Sequence, residues 1–115
     1  MDIRDCYSMM NADYDEALRR FGSEAMVKKF ALRFLNDLSY KELTEALAEN
    51  NGEDAFRAAH TLKGICANLG FSKLYSVSSE LTEKLRGRNT EGSEELFEKV
   101  REQYEITADA LHMLE

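Results

Sequence analysis

The sequence predicts an all-α fold, an antiparallel four-helix bundle with an additional short N-terminal helix. Its 115 residues include no proline, whereas average usage of about 5% would give roughly six. Charged residues make up 32% of the chain, above the usual quarter or so. Apolar residues recur with the 3.6-residue period of a helix, and this period stops at single glycines. The length is that of one domain, so we predict a single domain over residues 1–115.

The N-terminal half is predicted to contain three helices. The first lies within residues 1–22 as a cover for the bundle and ends at Gly22, and its apolar positions are Tyr14, Ala17, Leu18 and Phe21. Ser23 is suited to cap the second helix, whose apolar positions are Met26, Val27, Phe30, Phe34 and Leu35. Ser39 and Glu42 have capping-box spacing and predict a third helix that ends at residues 50–52. The pattern also allows residues 37–39 to be a kink in one longer helix.

The C-terminal half is predicted to contain three longer helices. The first of these begins with Glu53 and Asp54 and ends at Gly70, and Ser72 then caps the next, so the two form a tight antiparallel hairpin. That next helix ends near Gly87, with buried positions Leu74, Val77, Leu81 and Leu85. The last helix starts at Ser93 and buries Leu96, Val100, Tyr104, Leu111 and either Thr107 or Ala108. We therefore assign the four-helix bundle to residues 23–115.

Composition excludes several classes of protein. A net charge of −7 and a pI near 4.9 argue against a nucleic-acid partner. No segment approaches the ~18 apolar residues of a membrane span or has the pattern of a signal peptide, so we expect a cytoplasmic protein with no membrane partner. The chain has two cysteines and two histidines, too few to predict a disulfide framework or a structural metal site. Cys66 lies on an apolar stripe, whereas the pattern does not predict an environment for Cys6.

The solvent-facing side of one helix carries residues that are unusual for a helix with a purely structural role. The core stripe of the helix that begins at Glu53 is expected to consist of Ala55, Ala58, Ala59, Leu62, Ile65, Cys66 and Leu69. His60 lies roughly 160° from the centre of that stripe and is predicted to face solvent. Gly64 follows one turn later, although a mid-helix glycine costs about 1 kcal/mol relative to alanine. We interpret this low surface as access for a macromolecule to the imidazole, the alternative being an ordinary surface histidine.

The residues around this histidine resemble a known family. The run His60-Thr61-Leu62-Lys63-Gly64, followed by Leu69-Gly70, is similar to the signature of histidine-containing phosphotransfer (HPt) domains. The resemblance covers about residues 24–113 and implies a four-helix bundle. One departure is visible, since Leu81-Thr82 stands where family members often carry Leu-Glu.

The resemblance implies that the protein is a phosphorelay intermediate. His60 would accept a phosphoryl group from an aspartyl phosphate on one receiver domain and pass it to an aspartate on another, with Lys63 stabilising the phosphoryl oxygens. Five further residues are expected to form the docking surface: Phe56, Arg57, Gly64, Ala67 and Asn68. The partners would be receiver domains of response regulators and hybrid histidine kinases. No cofactor is expected, because the receiver would supply Mg²⁺, and the chain would act as a monomer.

Charge distribution supports docking at this face. Residues 55–90 contain six Lys and Arg residues and two Glu residues, a net charge of +4, whereas the whole chain carries −7. Because receiver pockets are built around carboxylates, a basic patch would steer association, although the asymmetry could also arise by chance. Two other functions stay open: a helical interaction module that is not phosphorylated, and the dimerising, histidine-bearing half of a kinase. The kinase would need an ATP-binding domain, and these residues contain no Gly-rich phosphate loop.

Overall fold

Seven α-helices and two 3₁₀ turns form the secondary structure of residues 1–114, which are the residues that this computed structural model describes. The helices are α1 (Ile3–Met9), α2 (Tyr14–Phe21), α3 (Glu24–Arg33), α4 (Ser39–Ala48), α5 (Gly52–Leu69), α6 (Ser72–Lys84) and α7 (Glu94–His112), and the 3₁₀ turns are Phe34–Asn36 and Leu85–Gly87. These residues include no strand, so the predicted all-helical fold is confirmed. No helix among them is long and apolar enough to cross a membrane.

The N-terminal segment contains two helices: α2 ends at Gly22 as predicted, and α1 is an additional helix that the sequence analysis did not predict. Helix α1 begins after Asp2, whose carboxylate accepts a hydrogen bond from the backbone N–H of Asp5. It buries Ile3, Cys6 and Tyr7 completely or nearly so. Cys6, which the sequence pattern left unconstrained, is therefore a core residue.

This segment is attached to the C-terminal end of α5. The Tyr7 hydroxyl donates a hydrogen bond to the carbonyl of Leu69 (2.6 Å), and the Asp13 N–H donates to the carbonyl of Gly70 (2.8 Å). Gly70 has a φ of +73°, and a Cβ at this position would lie 2.5 Å from the Asp13 carbonyl oxygen. The glycine is thus required both by the left-handed turn that ends α5 and by the close approach of the N-terminal segment.

Two separate helices, α3 and α4, occupy the region where the sequence allowed one kinked helix. As predicted, the Ser23 hydroxyl caps α3 by accepting a hydrogen bond from the Met26 N–H. The capping box at Ser39 is wrong, because the backbone N–H of Ser39 donates to the Asp37 carboxylate and the Ser39 side chain makes no capping bond. Asp37 has an extended backbone, which breaks the helical hydrogen-bond ladder after the 3₁₀ turn.

Helix α5 lies at the centre of the fold. It packs against α4 on one side and α6 on the other, while α6 also packs against α7. The ring of Tyr40 on α4 stacks on Tyr104 of α7, with centroids 3.8 Å apart. The fully buried leucines and valines are Val27, Leu43, Leu62, Leu74, Leu81, Leu85, Val100 and Leu111. Several positions predicted to be buried are half-buried at the edge of this core, among them Leu47, Ile65, Val77, Leu96 and Tyr104.

The end of α6 and its connection to α7 differ in detail from the prediction. Ser72 makes no cap for α6, since its hydroxyl donates to the carbonyl of Gly70. Helix α6 tightens into the 3₁₀ turn at its end, and the left-handed residue that follows is Arg88, with a φ of +60°, rather than Gly87. Helix α7 begins after Ser93, as predicted. The connection at residues 85–93 then lies against the start of α5, which places it beside the candidate site.

Candidate functional site

His60 is exposed on α5, on the side of the helix that faces away from the core. The predicted core stripe is buried in six of its seven positions, namely Ala55, Ala58, Ala59, Leu62, Cys66 and Leu69, and Ile65 is half-buried. The helical period therefore places the imidazole as the sequence predicts. His112, the other histidine, is exposed at the end of α7.

The imidazole of His60 contacts one aromatic ring. The ring of Phe56, one turn earlier on α5, has its centroid 5.9 Å from that of His60, with the planes tilted by 41°. Within residues 1–114 neither ring nitrogen of His60 makes a hydrogen bond. The nitrogen lone pair is thus accessible from solvent, which a nucleophile that serves a protein partner requires.

The surface next to His60 is low and open along α5. Gly64, Ala67 and Asn68 are all exposed. A Cβ at Gly64 would meet no atom within 4 Å of it, so internal packing does not require a glycine here. Lys63, between His60 and Gly64 in sequence, is half-buried on the flank of the same face. Gly64 lowers the stability of the helix, and no contact within residues 1–114 explains why a glycine occupies this position.

Three arginines surround the other side of His60. A cleft of about 230 Å³ is lined by His60, Phe56, Arg57, Arg86 and Arg88, together with Glu53 and Thr61. The guanidinium carbon of Arg88 lies 4.0 Å from the centroid of the Phe56 ring, and that of Arg86 lies 5.4 Å from it. Phe56, one of the residues expected to form the docking surface, is half-buried beneath these two cations.

Carboxylates neutralise two of these arginines. Arg57 is within 2.9 Å of Asp54 and 3.6 Å of Glu53 on its own helix. Arg86 donates two hydrogen bonds to Glu83, at 2.6 and 3.1 Å. These bonds lower the pKa of Glu83, and the neighbouring Lys63 and His60 lower it further. Glu83 of α6 therefore belongs to the electrostatic surroundings of His60.

No metal centre accompanies this site in the described part of the chain, because no three His, Cys, Asp or Glu side chains converge there in a way that would hold an ion. The chemistry available to the site is that of an exposed imidazole beside three arginines, two of which are paired with carboxylates. An anionic or phosphorylated group is what such a cleft would accept.

Comparison with known protein families identifies the chain. A model of the Hpt domain matches residues 37–111, well over half of the 115 residues. The chain belongs to the Hpt domain family. Hpt domains carry out histidine phosphotransfer in two-component phosphorelays and interact with receiver domains. A search among curated proteins and another among solved structures gave no match.

The Hpt match covers α4 to α7 and leaves α1 to α3 outside it. Within the matched region, Thr82 stands at the position where the sequence departs from the family pattern. It is completely buried, and its hydroxyl donates to the carbonyl of Ser78 one turn earlier (2.7 Å). Thr82 is thus part of the core of this Hpt domain and does not reach His60 through a hydrogen bond.

Three residues near His60 were not assigned to the site from sequence: Glu83, Arg86 and Arg88. Arg86 and Arg88 belong to the basic segment that predicted electrostatic steering, and that excess of charge was the available signal. Their position beside Phe56 depends on how residues 85–93 fold against the start of α5. Periodicity within α5 contains no information on that contact.

Proposed function

We propose that this Hpt domain is a phosphorelay intermediate that is phosphorylated on His60. The observation that supports the proposal most strongly is the exposure of His60 beside the open surface at Gly64. A receiver aspartyl phosphate must approach the imidazole closely and in line, and an uncovered helix face allows that approach.

The proposed transfer is a displacement at phosphorus. The Nε2 lone pair of His60 attacks the phosphorus atom, the N–P bond forms, and the bond from phosphorus to the receiver carboxylate oxygen breaks. The carboxylate leaves with that electron pair, and the other ring nitrogen retains its proton. A second receiver reverses these steps by attack of its own aspartate. Lys63 would stabilise the phosphoryl oxygens, while the Mg²⁺ that this chemistry uses would be held by carboxylates of the receiver.

The docking surface proposed for the receiver consists of Phe56, Arg57, Gly64, Ala67 and Asn68, around His60 and Lys63. All are exposed except Phe56 and Lys63, which are half-buried. The partners would be receiver domains of response regulators and hybrid histidine kinases. We expect a cytoplasmic monomer without a nucleic-acid or membrane partner, since the chain is acidic overall, with a net charge of −7.

The same proposal extends to the arrangement of the helices. We expect α4 to α7, the helices that the family match covers, to form the antiparallel four-helix bundle of the family. The predicted bundle began at residue 23. Helix α3 packs against α1 and α2 as well as against α5, and the family match begins at residue 37, which favours a boundary near residue 39. The N-terminal segment would then comprise α1 to α3.

A phosphotransfer assay tests the function. Receiver domains are phosphorylated with acetyl phosphate, freed of the donor and mixed with the protein, and intact mass then reports the transferred phosphoryl group. We expect an acid-labile, base-stable modification that is lost in His60→Gln and kept in the matched control His112→Gln. Label on another residue would contradict the assignment of His60. Receiver binding without label in the wild-type protein would instead favour the interaction module.

A further inference from the structure

The cleft beside His60 contains one guanidinium whose charge is not balanced. Arg57 and Arg86 each pair with carboxylates of their own helical turns. Within residues 1–114, no carboxylate lies within 4.0 Å of the Arg88 guanidinium. Its Nη1 donates to the backbone carbonyl of Arg86. A guanidinium has five N–H donors, so Arg88 retains donors for an anion.

Arg88 and His60 both lie beside the Phe56 ring and line the same cleft. The ring centroid lies 4.0 Å from the Arg88 Cζ and 5.9 Å from the His60 ring centroid. The guanidinium is thus no farther from the imidazole centroid than the sum of these two distances. Stacking on an aromatic face restricts the long arginine side chain, and less conformational entropy is lost when a ligand binds.

The backbone of Arg88 lies close against the first residue of α5. A Cβ at Gly52 would lie 1.8 Å from the Arg88 carbonyl oxygen, so only glycine permits this contact. Arg88 itself has a left-handed backbone, with a φ of +60°. Its position therefore depends on the start of the same helix that carries His60.

We propose that Arg88 binds the phosphoryl group once it is on His60, by donating charge-assisted hydrogen bonds to its oxygens. This inference rests on the proposed function and adds a phosphate-binding residue contributed by the connection between α6 and α7. Arg88 transfers no proton and forms no covalent bond in this role. Because a guanidinium stabilises the dianion of the phosphoryl group, its presence lowers the pKa of that group.

The test loads His60 chemically and thus needs no receiver. The protein carries His112→Gln in every variant, is phosphorylated with phosphoramidate, and is titrated while ³¹P NMR records the phosphohistidine signal. We expect Arg88→Gln to raise the pKa of the phosphoryl group, equivalent to about a threefold increase in its proton affinity. Gln is shorter than Arg and uncharged, and it keeps a Cβ at the left-handed position, so the backbone cost of that conformation is similar in the two proteins.

Three further variants test whether the change in the titration arises from the Arg88 guanidinium itself. Lys28→Gln removes the same charge from an exposed position on α3, outside the cleft, and is expected to titrate as the parent does. Arg88→Lys keeps the charge without the planar donor fork and is expected to fall between the parent and Arg88→Gln. Phe56→Leu removes the stacking surface and is expected to shift the titration in the same direction as Arg88→Gln.

The outcomes separate this inference from the proposed function. If Arg88→Gln titrates as the parent does, Arg88 does not bind the phosphoryl group, whatever receivers do with His60. If Lys28→Gln shifts the signal as much as Arg88→Gln, the effect is one of net charge and the inference is wrong. Failure of phosphorylated receivers to label His60 would overturn the proposed function, and the titration would still report on the cleft.

Discussion

The hydroxyl of Tyr7 in α1 donates a 2.6 Å hydrogen bond to the backbone carbonyl of Leu69, the last residue of α5. The final carbonyls of a helix have no partner within the helix, and a buried one must find another. Tyr7 supplies it from a segment 62 residues away in sequence. The N-terminal segment, which lies outside the family match, thus completes the end of the helix that carries His60.

Replacement of Tyr7 by Phe is therefore expected to destabilise the fold. The variant leaves the Leu69 carbonyl buried without its donor, which costs about 1 to 3 kcal/mol in the free energy of unfolding. Urea denaturation measures the change. Tyr14→Phe is the matched control, because the Tyr14 hydroxyl is also buried but has no hydrogen-bond partner among residues 1–114. Equal losses in the two variants would contradict the importance of the Tyr7 bond.

Stability is expected to decrease at alkaline pH because of a buried thiol. Burial raises the pKa of Cys6 to about 11 from an ordinary 9.0, and burial also raises the pKa of Cys66. Between pH 9 and 11 the unfolded chain loses a proton from Cys6 that the folded chain keeps. The free energy of unfolding therefore falls as pH rises through this range.

Urea denaturation below pH 9 and between pH 9 and 11 tests this dependence. Cys6→Ala should lower stability at all pH values through lost packing, yet show a shallower alkaline decline than the parent. An identical decline in both proteins would mean that Cys6 does not contribute to it.

Local pattern was sufficient to predict most helix ends and the placement of His60. Gly22 and Gly70 both adopt positive φ at helix ends, because a left-handed C-cap is a local requirement that glycine meets at little cost. Helix α1 was missed although Ile3, Cys6, Tyr7 and Met10 have helical spacing and are all buried. Seven residues form a helix of marginal stability, and tertiary contacts such as the one to Leu69 stabilise it.

Contacts between distant residues could not be predicted in the same way. Ser39 and Asp37 both offer a side-chain oxygen at the start of α4, and only the path of the chain decided that Asp37 makes the bond. Gly52 lies where the sequence predicts the end of a helix, but it is the first residue of α5 and permits the approach of the Arg88 backbone. The contact between Gly52 and the Arg88 backbone brings Arg88 into the cleft. The sequence therefore predicted the excess of positive charge in residues 55–90 but not the position of the arginines beside His60.

Lys63→Ala is expected to slow phosphotransfer from a receiver, and more so at low salt. Lys63 is half-buried on the same helix as His60, three residues further along. Its effect is electrostatic, so salt should screen it. Rapid-quench measurements at two salt concentrations provide the comparison, with Lys28→Ala as a charge-matched control on the exposed face of α3. A loss of rate that is independent of salt would show that Lys63 acts by another means.

Gly64 distinguishes a structural role from a role in access to His60. A Cβ at this position meets nothing within 4 Å, so Gly64→Ala should raise the free energy of unfolding by up to about 1 kcal/mol through improved helix propensity. If the role of Gly64 is only structural, larger side chains at this position should leave the rate of phosphotransfer from a receiver unchanged.

We expect instead that Gly64→Gln keeps or raises the thermal midpoint while it slows transfer from a receiver by about an order of magnitude. The reason is steric, because position 64 stands one turn from His60 on the same exposed face. A long side chain there occupies the volume that the incoming aspartyl phosphate and its loop must enter. Ala25→Gln, at an exposed position of α3, controls for the addition of a bulky polar side chain. Unchanged transfer kinetics in Gly64→Gln would mean that the receiver approaches His60 from the side of the arginine cleft and that the open surface along α5 is not its docking site.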